Sequence, residues 1–326
     1  MIKYILLVLQ MSFHFIAYNQ TITGLVIDKK TKKELSSATI YFSGTSFGTS
    51  SDKNGNFKID ISQYNSNPLT ISAIGYYSKT IENLYEIDNY LIKLAPKVYN
   101  INEAVVSSKS LVRQRKVNLR LFREEFLGTT DNSWDCEIVN EKDITFNYYE
   151  DEDTLKAYAV KPLIIKNRAL GYNITYFLDE FEYYRDSKFV FFTGNFIFEE
   201  DSNVNKELTE QNRRYVYSGS RMHFFRSLWT NDLRSNHFRI INSENKKATY
   251  EDIVIEDDNN NKYLKYKGSL RVYYFEIESK MVISGLVSFE KNGNFDPAGI
   301  RWTGAMAGRR IADWLPLEYS VKDNNP

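Results

Sequence analysis

Gly44-Thr45-Ser46-Phe47-Gly48 reproduces the G-x-S-x-G spacing that exposes a nucleophilic serine when a strand precedes it and a helix follows. Here Thr49-Ser50-Ser51-Asp52-Lys53-Asn54-Gly55 follows instead, which is turn chemistry, and the flanking block contains no histidine. The motif reads as a hairpin. His223, Arg226 and Ser227 form the candidate binding group, with His223 and Ser227 one helical turn apart. A catalytic role for that His/Ser pair would need an acid to orient the imidazole. Asp232 projects from the apolar side of the same helix, so no local acid serves. No catalytic constellation emerges.

Metal chemistry is poorly supplied. The chain has 3 His and 1 Cys, and its histidines are His14, His223 and His237. Neither His223 nor His237 opens an H-x-x-E pair, and Cys136 has no partner at metal or redox spacing. It reads as a small core residue on a strand. Asp257-Asp258-Asn259-Asn260-Asn261 and Asp52-x-Asn54 offer oxygen ligands without the full calcium-loop spacing, and read as polar turns. No phosphate-cradling or dinucleotide glycine fingerprint is present, so no cofactor is expected. With 42 acidic residues, a carboxylate pair in the C-terminal half keeps a glycan- or peptide-processing hydrolase open as the alternative function.

These residues must be positioned by a chain rich in strands. The 24 Tyr and 21 Phe fall mostly in alternating segments, which favours β structure. The helical exception runs from about 206 to 232. Ser220 caps its second helix, and Arg221, Met222, Phe225, Leu228 and Trp229 share one face at 100° per residue. His223 and Ser227 fall on the opposite, polar face. Leu119, Phe122 and Phe126 predict a short amphipathic helix earlier in the chain, carrying a solvated row of Lys and Arg. Tyr172, Ile174, Tyr176 and Leu178 alternate along one strand face. Met281, Ile283, Val287 and Phe289 do so along another, and FVFFTGNFIF changes phase at Gly194, predicting a bulge or turn there.

Residues 20–96 read as short antiparallel strands separated by turns, a β-sandwich. Residues 97–116 read as an open linker, and 117–326 as a larger β-rich α+β domain with a helical insertion. The 42 Lys+Arg balance 42 Asp+Glu, which removes the main reason to expect nucleic-acid binding. Lys3 precedes fourteen uncharged residues, Tyr4 to Ala17, too short a run for a membrane span. Residues 1–19 therefore read as a secretory signal peptide, with no transmembrane span in the mature chain.

Gly24-x-Val26-x-Asp28, Ala38-x-Ile40, Gly44-Thr45 with Gly48-Thr49, Ser51-Asp52-x-x-Gly55-x-Phe57 and Ser72-x-x-Gly75-Tyr76 resemble the carboxypeptidase-regulatory-like domain. That is a transthyretin-like sandwich common in Bacteroidetes envelope proteins. Glu34-Leu35 departs from the family's usual Pro-Leu. The resemblance implies a spacer or docking module and no peptidase activity. Phe126-Leu127-Gly128-Thr129, Cys136-x-Ile138-x-Asn140, Pro162-Leu163-x-Ile165-x-Asn167, Ala169-Leu170-Gly171-Tyr172, Gly219-Ser220-x-x-His223-Phe224-x-Arg226 and Leu315-Pro316-Leu317-x-Tyr319 resemble a Bacteroidetes C-terminal region of no assigned activity. Together they imply an exported protein of the periplasm or outer-membrane periphery, or else a secreted one. Its expected role is non-enzymatic binding of an envelope protein or a glycan or peptide ligand.

Overall fold

The computed structural model describes residues 21–64, 67–84, 90–97 and 108–321. The signal-peptide reading and residues 98–107 of the linker reading fall outside them, while residues 108–116 of that reading are helical. The protein is mainly β, with several sheets and few helices.

The first domain holds β1 (Thr21–Asp28), β2 (Thr39–Phe42), β3 (Gly48–Ser50), β4 (Asn56–Asp60), β5 (Leu69–Ser72), β6 (Lys79–Ile81) and β7 (Tyr90–Leu94). One sheet runs β4-β1-β7 and the other β3-β2-β5-β6. Alternation along β1 turns Ile22 and Val26 inward, where they meet Phe57 and Ile59 of β4 and Ile40 and Ile71 of the facing sheet. The antiparallel expectation needs one correction, because β1 and β7 pair in parallel. The chain reaches β7 only after building the whole second sheet, and that long crossover is what a parallel pair requires.

Helix α1 spans Ser108–Leu127, starting well before Leu119. It buries Phe122 and Phe126, whose rings lie 4.8 Å apart. Its basic residues are engaged as well as solvated. Arg115 donates to the carbonyls of Ile144 (2.7 Å) and Glu141 (2.9 Å), and Arg120 pairs with Glu124 at 2.9 Å.

Beneath α1 lies a sheet of β8 (Cys136–Ile138), β9 (Ile144–Tyr149), β10 (Thr154–Ala159), β11 (Leu163–Asn167), β12 (Tyr172–Tyr184) and β13 (Phe189–Glu200). Its order is β8-β11-β12-β10-β9, with β13 along the other side of β12. Tyr172, Ile174, Tyr176 and Leu178 all point into the core, as their alternation predicts. The bulge lies in β12, between Leu178 and Glu180, opposite an unbroken β13. Gly194 allows it: a Cβ there would sit 2.4 Å from the Phe177 carbonyl oxygen and 2.5 Å from the Tyr176 ring.

Two helices follow, α2 (Lys206–Tyr217) and α3 (Arg221–Trp229), capped by the side chains of Asn205 and Ser220. They lead into β14 (Phe238–Asn242), β15 (Val254–Glu256), β16 (Lys262–Leu264), β17 (Gly268–Tyr274), β18 (Ile277–Ile283), β19 (Val287–Phe289) and β20 (Ile300–Gly304). These form the sheets β14-β17-β18-β20 and β15-β16-β19. Met281 and Ile283 thus belong to one strand and Val287 and Phe289 to another, in different sheets. All four enter one hydrophobic cluster, because Gly285, at φ +85°, turns the chain between them.

Helix α3 stands between two cores. Phe224, Phe225 and Leu228 fill the cluster of the last two sheets, while Met222 packs on the cluster under α1. Among the described residues no helix is long and apolar enough to cross a membrane.

Candidate functional site

The loop Ser43–Phe47 joins β2 to β3, so the G-x-S-x-G stretch is a hairpin turn. Thr45 Oγ1 donates to the Phe42 carbonyl at 2.8 Å, and Gly44 adopts φ +81°, a conformation open chiefly to glycine. The loop is one contact by which the first domain docks. Gly44 N–H donates to the Phe196 carbonyl at 2.8 Å, and Phe198 N–H donates to that of Thr45 at 2.9 Å. The loop thereby pairs with the free edge of β13. Leu317 N–H donates to the Gly44 carbonyl at 2.8 Å, and Ser46 N–H donates to Glu318 at 2.6 Å. The Ser46 hydroxyl also bonds Glu318, a structural contact. Nearby, Tyr41 stacks on Phe177 with centroids 5.7 Å apart. Lys97, its side chain only 7% exposed, reaches the Leu178 carbonyl (2.8 Å) and Asp179 (3.3 Å).

Docking leaves a cavity of about 380 Å³ where several parts of the chain meet. Phe42, Pro68 and Thr80 come from the first domain, and Phe196 from β13. Ser220, Arg221 and Met222 come from the start of α3, and Phe295 from the loop after β19. The C-terminal segment contributes Asp313, Trp314 and Leu317. Aromatic and aliphatic walls with a few polar groups are the usual makeup of a ligand site. Asp313 is the one acid lining it among the described residues. Its two carboxylate oxygens accept from Thr130 Oγ1 and Asn132 Nδ2, both at 2.8 Å. Burial raises the pKa of its carboxyl, partly offset by those two bonds.

Of the residues expected to bind, none has its main polar contacts in this space. His223 is buried with its polar atoms satisfied, flanked by the rings of Tyr217 (4.8 Å) and Phe238 (4.9 Å). Gly219 N–H donates to its Nδ1 at 3.2 Å, and Nε2 meets Asn236 Oδ1 at 3.1 Å, which fixes the neutral tautomer protonated at Nε2. Ser227 Oγ donates to the His223 carbonyl at 2.8 Å. Helix α3 is covered on both sides, so its polar side is satisfied by local hydrogen bonds rather than by water. Arg226 acts at one remove. It donates to the carbonyls of Asn292 (2.8 Å), Tyr319 (2.7 Å) and Leu317 (2.8 Å), clamping two segments that wall the cavity.

Sequence reasoning missed Arg221, Arg309 and Trp314. A signal existed for the first: Arg221 is the first residue of α3, where a cation opposes the helix dipole, and α3 contains no acid. Cys136 is a buried strand residue whose thiol burial pushes up to about 12, and Asp257 organises a hairpin turn by accepting from Asn259 and Asn261 N–H.

Burial lowers the His223 pKa, the Asn236 bond opposes this, and the charges of Arg226, His237 and Arg309 add to it. The unfolded chain takes up a proton near pH 6.5 that the folded chain refuses. Stability therefore falls as pH drops below that value, by up to about 1.4 kcal/mol per pH unit, and levels off below the folded pKa. Urea unfolding across this range should show the slope in the wild type and a flatter one in His223→Gln. Equal slopes would contradict the buried neutral imidazole.

Residues 22–106 match the family described as CarboxypepD_reg-like domain, about a quarter of the chain. No curated protein matches. Among solved structures, the chain is similar to a protein of unknown function from Bacteroides fragilis NCTC 9343 whose name suggests membrane association. Identity is 9%, with 84% of this chain and 91% of that one covered and a TM-score of 0.18. It is also similar to a 9R-lipoxygenase from Cyanothece PCC8801, at 10% identity over 64% of this chain and 48% of that one, again with a TM-score of 0.18. At such scores neither likeness bears on fold or function.

Proposed function

We propose that this is an exported envelope protein that works without catalysis, as a binding module whose ligand lodges in the cavity between the docked first domain and the rest of the chain. The observation that carries the reading is the cavity itself, walled by separate parts of the chain and mainly apolar. A two-carboxylate hydrolase needs a second acid facing Asp313, and the described lining supplies none. The regulatory-like domain favours the same reading, since it is a docking module here: its hairpin loop closes one wall of the site. The short apolar run after Lys3 is the ground for export, and the two resemblances in the sequence are the ground for a Bacteroidetes envelope address.

Native mass spectrometry of the chain isolated from its own envelope fraction tests both parts. The expected protein has lost about 19 residues and carries a non-covalent small molecule, which Thr80→Trp, filling the cavity, lacks. A protein retaining Met1 would sink the export reading. Equal adducts in both proteins would sink the cavity reading.

A further inference from the structure

We infer that the cavity takes a small apolar carboxylate, an aliphatic or aromatic acid whose anionic group meets Arg221. This rests on the binding-module reading above and names the ligand class. Arg221 lines the cavity and makes one hydrogen bond, from a terminal nitrogen to the Arg309 carbonyl at 2.7 Å. Among the described residues it takes part in no ion pair, and its remaining N–H groups meet no protein acceptor. Arg309, also in the lining, spends one nitrogen on the carbonyls of Val216 and Ser218, both at 2.8 Å, and feels the charge of Asp313. Asp313 forms no ion pair with Arg221; its oxygens accept from Thr130 and Asn132.

The result is a cation held in a mainly apolar recess without a counter-charge. Burial and the charge of Arg310 push its pKa down to about 10, so it remains ionised at neutral pH. Arg221 is half-buried, and a carboxylate ligand supplies the counter-charge that no ion pair gives it among the described residues. The guanidinium is a planar fork whose geometry matches a carboxylate. The start of α3 at the same wall adds the positive end of its dipole. Phe42, Phe196, Met222, Phe295, Trp314 and Leu317 then enclose the body of the ligand, which must be apolar.

Calorimetric titration of the mature chain with decanoate, 2-naphthoate, decanol and decylammonium tests this. At least one of the two acids should bind tenfold or more tightly than decanol, and which acid does so tells an aliphatic from an aromatic body. Decylammonium should not bind. Arg221→Gln should weaken the acid tenfold or more and leave decanol unchanged, while Arg221→Lys should keep part of the preference. The wild-type comparison of acid with alcohol stands even where Arg221→Gln fails to fold. Decanol binding as tightly as both acids, neither acid binding, or Arg221→Gln binding an acid undiminished would overturn the inference. Preference for decanol or decylammonium, abolished by Thr80→Trp, would overturn the ligand class alone and leave the cavity reading standing.

Discussion

Arg226→Ala should lower the free energy of unfolding by about 4 kcal/mol, the largest effect expected of a substitution outside the hydrophobic cores. Three backbone carbonyls, of Asn292, Leu317 and Tyr319, each accept from this one guanidinium. A hydrogen bond from a charged donor contributes about 1.5–3 kcal/mol, and orphaning a buried acceptor costs about 1–3 kcal/mol. Its position 5.4 Å over the Tyr217 ring is lost too. Arg226→Lys should recover only a minor part, because an ammonium is a point donor and cannot span three acceptors in a fork. Urea unfolding with an unchanged m-value checks this. A loss under about 1 kcal/mol, the usual size for a surface pair, would show that Arg226 does not hold the walls.

Gly44→Val should be the second most damaging change, at about 2–3 kcal/mol. Gly44 stands at φ +81°, where a β-branched side chain is strained whatever space surrounds it. The Cβ alone would meet Leu317 at 3.4 Å, an ordinary contact, so Gly44→Ala should cost only the backbone strain, about 1–2 kcal/mol. The branched methyls of valine go further and push the loop off β13 and Leu317. The expected result is a graded loss, alanine smaller than valine, measured by thermal and urea unfolding. A valine variant as stable as the wild type would mean that the docking loop is not held in this conformation.

The small first domain was largely legible in the sequence, because its strands are short, alternate cleanly and end in turn residues such as Asp52-Lys53-Asn54-Gly55. What was not legible there was the parallel partner of β1, since pairing direction depends on the route between strands and not on the strands themselves. The buried face of β12 was readable for the same reason of period. Along α3 the wheel could not tell a solvated polar side from a satisfied one, because that choice depends on what packs against the helix. Here His223 and Ser227 are buried with their hydrogen bonds satisfied locally. The cavity could not be read at all. Its walls come from residues as far apart as Phe42, Arg221 and Leu317, which only the docking of separate parts brings together. One local clue was on the page, the arginine that opens an acid-free helix just after Ser220.

The first domain and the rest of the chain are docked as one unit, and the cavity exists only through that docking. Amide hydrogen exchange tests it most directly at Gly44, Phe198 and Leu317, whose N–H groups bond across the junction. These three amides should exchange only with global unfolding, as slowly as amides in the middle of β12. Exchange at the rate of exposed loops, with β12 still protected, would show that the domains separate freely and would contradict it.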